Sequence, residues 1–190
     1  MVIQYGDDLF EEEWLAFFKY DPVHPNISIS KRIEGNRTVF VYLNEMQPQF
    51  IISARIGNKI PRSMIEVLDD DGYSSIYDVS FAIFYSIFRL PNIYEKGVGS
   101  KAIKAVIDYC KQRGVSKFYT LSPTPLMREH FITKPDESSV RQYLESWKGN
   151  VAKFHLSNGA KIHSINYDAD ESELRVKESW GIMVNYDYCP

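Results

Sequence analysis

The chain has 190 residues, of which 44% are hydrophobic and 14% aromatic, enough to form one compact domain with a substantial core. A net charge of −3 at pH 7 argues against nucleic acid as the main partner. No segment is long and apolar enough to cross a bilayer, and the acidic start of the sequence differs from a basic signal peptide. We therefore expect a cytoplasmic protein in which Cys110 and Cys189 stay reduced.

Hydrophobic spacing along the chain predicts an α+β fold with a mixed, mostly antiparallel central sheet flanked by helices, in a single domain of residues 1–190. In the first half we expect an N-terminal helix at 8–20 (within 1–22), a hairpin of 27–33 and 38–43 turning at 34–37, a strand at 50–56, a short helix at 61–71 whose acidic end at 69–72 forms a solvated turn, and a buried strand at 78–88. In the second half we expect a helix at 100–113 closed by Gly114, a strand at 115–121, a helix at 136–156 that begins at Asp136 and ends at 157–159, and strands at 161–167 and 179–186.

A glycine pair opens the helix that follows the buried strand. The segment consists of Lys96, Gly97, Val98, Gly99 and Ser100, with Lys101 and Lys104 further into the helix. Backbone N–H groups at a helix start can hold an anion such as a pyrophosphate, and the lysines add positive charge. A plain turn would use the same glycines, so this pattern alone leaves both interpretations open.

A strand, a short G-x-G at a helix start and a further strand resemble the GNAT superfamily. The resemblance implies that the loop at 96–101, with Lys104, holds the pyrophosphate of coenzyme A or of a phosphopantetheine carrier. This sequence has Tyr94 where the family usually has Gln or Arg, three residues before the first glycine.

Three later motifs resemble the catalytic domain of malonyl-CoA decarboxylase, which is a GNAT-like fold. They are L-S-P-T-P at 121–125, A-K-F-H-L-S-N-G-A at 152–160 and G-I-M-V-N-Y-D-Y at 181–188. Their order and spacing agree with that family over residues 80–190. The resemblance is therefore more specific than the glycine pair.

The resemblance implies that Ser122 and His155 are the catalytic residues. Loss of carbon dioxide from a malonyl thioester leaves an enolate, which needs hydrogen-bond donors at its oxygen and a proton for its carbon. Pro123 and Pro125 would restrict the backbone behind Ser122. Asn158, Asn185, Tyr186 and Tyr188 match the same motifs and are expected to support the pair.

The expected activity is decarboxylation of a malonyl or methylmalonyl thioester on coenzyme A or an acyl carrier protein, in fatty acid or polyketide metabolism. It would give the acetyl or propionyl thioester, with no metal and no cofactor beyond the coenzyme A or phosphopantetheine of the substrate. A GNAT-type acyltransferase and a binding module for acyl thioesters are the alternatives. The resemblance leaves open the carrier, the methyl branch and self-association as a homodimer.

Overall fold

The computed structural model describes residues 1–69, 81–93, 95–146 and 149–188. The elements in chain order are β1 (Val2–Gln4), a 3₁₀ helix (Glu12–Tyr20), α1 (Ser30–Ile33), β2 (Arg37–Asn44), β3 (Gln47–Gly57), α2 (Met64–Leu68), β4 (Phe81–Arg89), α3 (Val98–Lys111), β5 (Lys117–Thr120), β6 (Ser122–Pro123), α4 (Met127–His130), α5 (Glu137–Glu145), α6 (Asn150–Ser157), β7 (Lys161–Asn166), α7 (Glu173–Ser179) and β8 (Met183–Asp187). These strands and flanking helices confirm the predicted α+β class.

The fold divides into two compact units, Met1–Lys59 with Asp70–Phe118, and Ile60–Asp69 with Tyr119–Pro190. The first unit contains an antiparallel sheet in the order β1-β2-β3-β4. The β2–β3 connection is a tight hairpin, in which Glu45 and Met46 have φ values of 49° and 63°. Two positive φ values are the signature of the type I′ turn that matches the twist of paired strands.

The helix α3 lies in the first unit and buries one face, formed by Val98, Ala102, Ile103, Val106, Ile107 and Cys110. This spacing is that of an amphipathic helix packed on a sheet. The helix begins two residues earlier than predicted and its last turn closes just before Gly114, as predicted. The prediction of a strand, a glycine loop and a helix in this order is confirmed.

The predicted hairpin of 27–33 and 38–43 is wrong in its first strand, whereas its second strand is present as β2. Residues Ser30–Ile33 form a short helix, and β2 pairs instead with β1 and β3. The cause is Arg32, which is fully buried and forms an ion pair of 2.9 Å with Asp21. Its guanidinium also donates to the carbonyl of His24 at 2.5 Å, so the segment folds around a buried charge.

In the second unit, β8 is the central strand and pairs with β5, β6 and β7. Ser122 lies opposite Val184, and Ser164 lies opposite Asn185. The helices α5 and α6 contribute Val140, Leu144 and Ala152 to a core that also contains Ile182, Val184 and Tyr186.

Two predictions in the second unit need correction. The helix predicted at 136–156 is two helices, because α5 ends at Glu145 and α6 begins anew with Gly149 as its N-cap. The strand predicted at 179–186 starts only at Met183, since Ser179 still belongs to α7. A Cβ on Gly181 would lie 2.7 Å from the carbonyl oxygen of Asp170, so the turn between α7 and β8 requires glycine.

The remaining predictions hold with shifted ends. The N-terminal helix starts at Glu12 and is a 3₁₀ helix, the short helix is Met64–Leu68, and β3, β5 and β7 lie within one to three residues of the expected ends. Asp136 is confirmed as an N-cap, because its side chain accepts from the N–H of Ser139. The predicted features at residues 70–80, Tyr94 and Cys189 lie outside the described residues.

Candidate active site

Ser122 lies where the chain leaves β5 and enters the two-residue strand β6. It pairs with Val184 on β8, and its side chain is almost fully buried. Pro123 follows at once, so its ring fixes φ on the C-terminal side of the serine. The serine hydroxyl is therefore held on a short, sterically restricted strand.

His155 comes from the last turn of α6 and is 3% exposed. Its ring stacks on Tyr186, with 4.5 Å between the ring centroids and 24° between the planes. Tyr188 approaches the same ring edge-on, with the centroids 6.0 Å apart. The two tyrosines of β8 and the segment after it therefore fix the plane of the imidazole.

A chain of hydrogen bonds links the side chains of Tyr188, His155, Ser122 and Thr120. Ser122 Oγ lies 2.9 Å from His155 Nε2, and His155 Nδ1 lies 2.8 Å from the hydroxyl of Tyr188. On its other side, the Ser122 hydroxyl donates to Thr120 Oγ1 at 3.0 Å. The structure thus brings together the two residues expected to be catalytic, although 33 positions separate them in the sequence.

Burial determines the protonation states of His155 and of the two tyrosines beside it. Desolvation lowers the pKa of His155 to about 3, so its imidazole is neutral around pH 7. The same cause raises the pKa values of Tyr186 and Tyr188 above the usual tyrosine value, so both phenols keep their protons. The site therefore holds neutral groups that donate and accept hydrogen bonds along this chain of contacts.

The two tyrosines differ in their hydroxyl groups. The Tyr188 hydroxyl bonds His155, whereas the Tyr186 hydroxyl is buried and has no hydrogen-bond partner among the described residues. Tyr186 thus acts on His155 through its ring, and Tyr188 acts through both its ring and its hydroxyl.

Asn185 is the centre of a second polar group, one residue before Tyr186 on β8. Its amide nitrogen donates to the carbonyls of Thr120 and Pro61, at 2.8 and 3.1 Å. Its oxygen accepts from Ser164 at 2.8 Å and from Asn166 at 2.6 Å. A fully buried amide with all four positions used joins β5, β7 and β8.

Asn158 lies apart from this group, at the end of α6. Its side chain donates to the carbonyl of Phe154 at 2.6 Å, and its backbone N–H bonds to the carbonyl of His155. These are the contacts of a helix C-terminal cap. Asn158 therefore touches His155 only through the backbone.

The sequence interpretation missed Thr120. Its side chain is fully buried, accepts from Ser122 and accepts at 3.3 Å from the backbone N–H of Tyr186. The signal was present, because residues two apart on an extended chain share one side, and Thr120 precedes Ser122 by two. Ser164 and Asn166 were also missed: they have the same two-residue spacing on β7, but their contacts with the distant Asn185 are what reveals their role.

The glycine loop belongs to the first unit. Gly97 has a φ of 76° and is the N-cap of α3, so its backbone requires a residue that tolerates the left-handed region. The helix is 14 residues long and has no acidic residue in its first turn. Lys96 and Lys104 are exposed, as is Lys101, which forms an ion pair with Glu95.

Two kinds of feature are absent from the described part of the chain. In the described ranges, no helix has the length and apolarity needed to cross a membrane. Within the same residues, no three His, Cys, Asp or Glu side chains are grouped as metal ligands.

Comparisons with known proteins agree with the motifs. Residues 139–190 match the family model "Malonyl-CoA decarboxylase C-terminal domain", a range that includes His155, Asn158, Asn185, Tyr186 and Tyr188. Comparison of the sequence with curated proteins finds no match.

Solved structures extend the likeness over the whole chain. Malonyl-CoA decarboxylase from Agrobacterium vitis superposes with a TM-score of 0.76 at 21% identity, over 99% of this chain and 60% of that one. The enzyme from Rhodopseudomonas palustris gives 0.74 at 22% identity, over 98% and 59%. The GphF GNAT-like decarboxylase, solved in complex with isobutyryl-CoA, gives 0.64 at 14% identity, over 98% and 97%.

The chain spans about 60% of the length of the two malonyl-CoA decarboxylases. At these identities the superpositions establish the fold, and the family match establishes the C-terminal motifs. The chain therefore has a GNAT-like α+β fold, and its residues 139–190 are similar in sequence to the C-terminal domain of malonyl-CoA decarboxylase.

Proposed function

We propose that this protein is an enzyme that removes carbon dioxide from a malonyl or methylmalonyl thioester carried on coenzyme A or an acyl carrier protein. The single observation that carries the proposal is the 2.9 Å hydrogen bond between Ser122 Oγ and His155 Nε2. Both residues occupy the motif positions that the family resemblance assigns to catalysis, and His155 lies inside the matched range.

The proposed reaction breaks the bond between the carboxylate carbon and the α-carbon. The bonding electrons move onto the α-carbon and the thioester oxygen, and carbon dioxide leaves. The resulting enolate then takes a proton at the α-carbon and gives the acetyl or propionyl thioester. Hydrogen bonds to the developing enolate oxygen lower the barrier, typically by about 10²–10³ in rate for each donor.

Ser122 and His155 suit the two tasks of the catalyst, which are to stabilise the enolate oxygen and to protonate the α-carbon. A neutral imidazole and a hydroxyl in a dry site can donate hydrogen bonds to the enolate and pass a proton to its carbon. Burial also favours reaction of a substrate carboxylate, because carbon dioxide is neutral and needs no hydration shell. Tyr188 keeps its proton and would hold the imidazole by donating a hydrogen bond to Nδ1, and the proton consumed at the α-carbon would be replaced from water after the product leaves.

For substrate binding we propose the start of α3. The backbone N–H groups of Val98, Gly99 and Ser100, with Lys96, Lys101 and Lys104, would hold the pyrophosphate of coenzyme A. The coenzyme A is then part of the substrate, and no other cofactor is needed. The exposed lysines would equally suit an acidic carrier protein.

We further propose that the protein works in the cytoplasm. Coenzyme A thioesters are available there, and a reducing environment would keep the unpaired, buried thiol of Cys110 reduced.

The test is to incubate the protein with malonyl-CoA, and separately with malonyl-loaded carrier protein, and to follow the thioester by mass spectrometry. We expect conversion to the acetyl thioester, with at least about a 10²-fold loss of rate in Ser122→Ala and His155→Gln. Ser157→Ala and His163→Gln are the matched controls, because both residues are exposed and lie in the same unit.

Three results would contradict the proposal. Near-wild-type rates in both site variants would remove Ser122 and His155 from the reaction. Turnover that requires an added amine or thiol acceptor would indicate an acyltransferase. Tight binding with no turnover of malonyl or methylmalonyl thioesters would indicate a binding module.

A further inference from the structure

The Ser122 hydroxyl has one hydrogen and two neighbours that could receive it. Thr120 Oγ1 is 3.0 Å away and His155 Nε2 is 2.9 Å away. Between the two hydroxyl groups, the geometry allows only Ser122 to donate. Both hydrogen bonds of Ser122 Oγ can therefore form together only if its hydrogen goes to Thr120 and His155 Nε2 carries a hydrogen that it donates to Ser122.

The other hydrogen positions in this chain of hydrogen bonds follow from that assignment. A neutral imidazole with a hydrogen on Nε2 has a bare Nδ1, which must accept from the Tyr188 hydroxyl 2.8 Å away. All donors in the resting site then point one way: from Tyr188 to His155, from His155 to Ser122, and from Ser122 to Thr120. The direction of the whole chain of hydrogen bonds therefore depends on Thr120, the acceptor at its end.

We propose that Thr120 is a positioning residue that fixes the tautomer of His155 by accepting the hydrogen of Ser122. Thr120 is suited to this because its own orientation is fixed. It is fully buried, and the backbone N–H of Tyr186 donates to the same oxygen at 3.3 Å. Two donors on one side chain oxygen leave little freedom for it to rotate away.

Without the Thr120 oxygen, the Ser122 hydrogen has no other acceptor among its described contacts than His155 Nε2. It would turn to that nitrogen, and the imidazole hydrogen would move to Nδ1, where the Tyr188 oxygen can accept it. The chain of donors would then run in reverse. A site that should deliver a proton from His155 through Ser122 would start in the wrong tautomer.

The experiment measures the tautomer directly, by ¹⁵N NMR of the histidine side chains at pH 7, with His155 assigned from His155→Gln. In the wild-type protein we expect a protonated Nε2 and an unprotonated Nδ1. In Thr120→Val, which keeps the shape and removes the oxygen, we expect the reverse. Thr120→Ser restores an oxygen and should restore the wild-type tautomer.

A second readout uses turnover and rests on the proposed function. We expect kcat of Thr120→Val to fall between about tenfold and 10²-fold, no more than loss of the proton donor itself would cause, with KM changed less than about twofold. Thr120→Ser should regain most of the lost kcat. A purely structural role would lower stability without exchanging the tautomers.

The two readouts separate the two proposals. A wild-type His155 protonated on Nδ1 overturns the assignment even if Thr120→Val fails to fold. An unchanged tautomer in folded Thr120→Val overturns the role of Thr120. If the tautomers exchange as expected and no substrate is decarboxylated, the positioning role stands and the proposed function fails.

Discussion

At the scale of single residues, the two tyrosines beside His155 make a matched pair. Both are aromatic partners of the same ring, but only Tyr188 bonds it through its hydroxyl. The Tyr186 hydroxyl is buried with no hydrogen-bond partner among the described residues, which costs folding free energy. The Tyr188 hydroxyl should therefore contribute to activity, whereas the Tyr186 hydroxyl should only lower stability.

We expect Tyr188→Phe to lower kcat by about tenfold or more, because His155 loses the hydrogen bond that fixes its ring at Nδ1. Tyr186→Phe should leave kcat within about twofold and leave the melting temperature equal or higher, because it removes an unsatisfied polar atom and keeps the stack. Steady-state kinetics and thermal unfolding of both variants test this. Equal effects of the two substitutions would contradict it.

The sequence predicted these residues unequally, for a physical reason. Ser122, His155 and Tyr188 were found through motif resemblance, because nothing in local spacing shows that residues 33 positions apart share a hydrogen bond. Thr120 carries no motif, and a threonine in an apolar strand is an ordinary core residue. Its position two residues before Ser122 was the sequence signal, and its contacts with Ser122 and with the backbone N–H of Tyr186 bring out its role.

At the scale of elements, Asn185 and Asn158 differ in how many hydrogen bonds their side chains make and in what those bonds connect. Asn185 uses all four hydrogen-bonding positions of its amide to join β5, β7 and β8. The Asn158 side chain makes one bond, at the end of α6. The family resemblance grouped both as supporting residues, but their contacts give them different tasks.

We expect Asn185→Ala to lower the free energy of unfolding by about 3–5 kcal/mol, because it leaves several buried partners unsatisfied. Asn158→Ala should cost about 0.5–1.5 kcal/mol, the value of one ordinary hydrogen bond. Urea unfolding of both variants measures the difference. A loss below about 1.5 kcal/mol for Asn185→Ala would show that the amide is not the anchor of these strands.

Elements were predicted well where local pattern decides and poorly where a distant contact does. The helix α3 and the capping Asp136 follow from spacing and side chain chemistry, and both were anticipated. The segment 27–33, predicted as the first strand of a hairpin, had strand-like alternation, but the buried ion pair of Arg32 with Asp21 outweighs that preference. No local rule could have identified that partner.

At the scale of the whole molecule, the burial of His155 makes stability depend on pH. The folded protein holds this imidazole neutral down to a pKa of about 3, whereas a histidine in the unfolded chain takes up a proton near pH 6.5. The unfolded state thus binds more protons between these values. The resulting stability is present above about pH 6.5 and is lost as the pH falls towards 3.

We therefore expect the stability advantage of the wild-type protein over His155→Gln to shrink on acidification from pH 7 to pH 4.5. The decrease should approach, but not exceed, about 1.4 kcal/mol for each pH unit. Denaturant titrations at several pH values measure it, with His163→Gln as the control at an exposed histidine. A constant difference between wild type and His155→Gln over this range would show that His155 is not held neutral.

The fold class itself followed from the sequence, because hydrophobic periodicity and the order of the elements constrain it strongly. The proposed activity did not follow from composition or periodicity. It rests on the motifs at 121–125, 152–160 and 181–188, and the family model matches the range of the last two.

The stack of Tyr186 on His155 has a further, magnetic consequence. An aromatic ring 4.5 Å away and nearly parallel shields the protons of the ring above it, so the carbon-bound protons of His155 should resonate upfield of those in an unstacked histidine. The core of this protein thus contains its own reporter for the site. Any ligand or substitution that tilts the imidazole away from the phenol would move that signal, whether or not a reaction takes place.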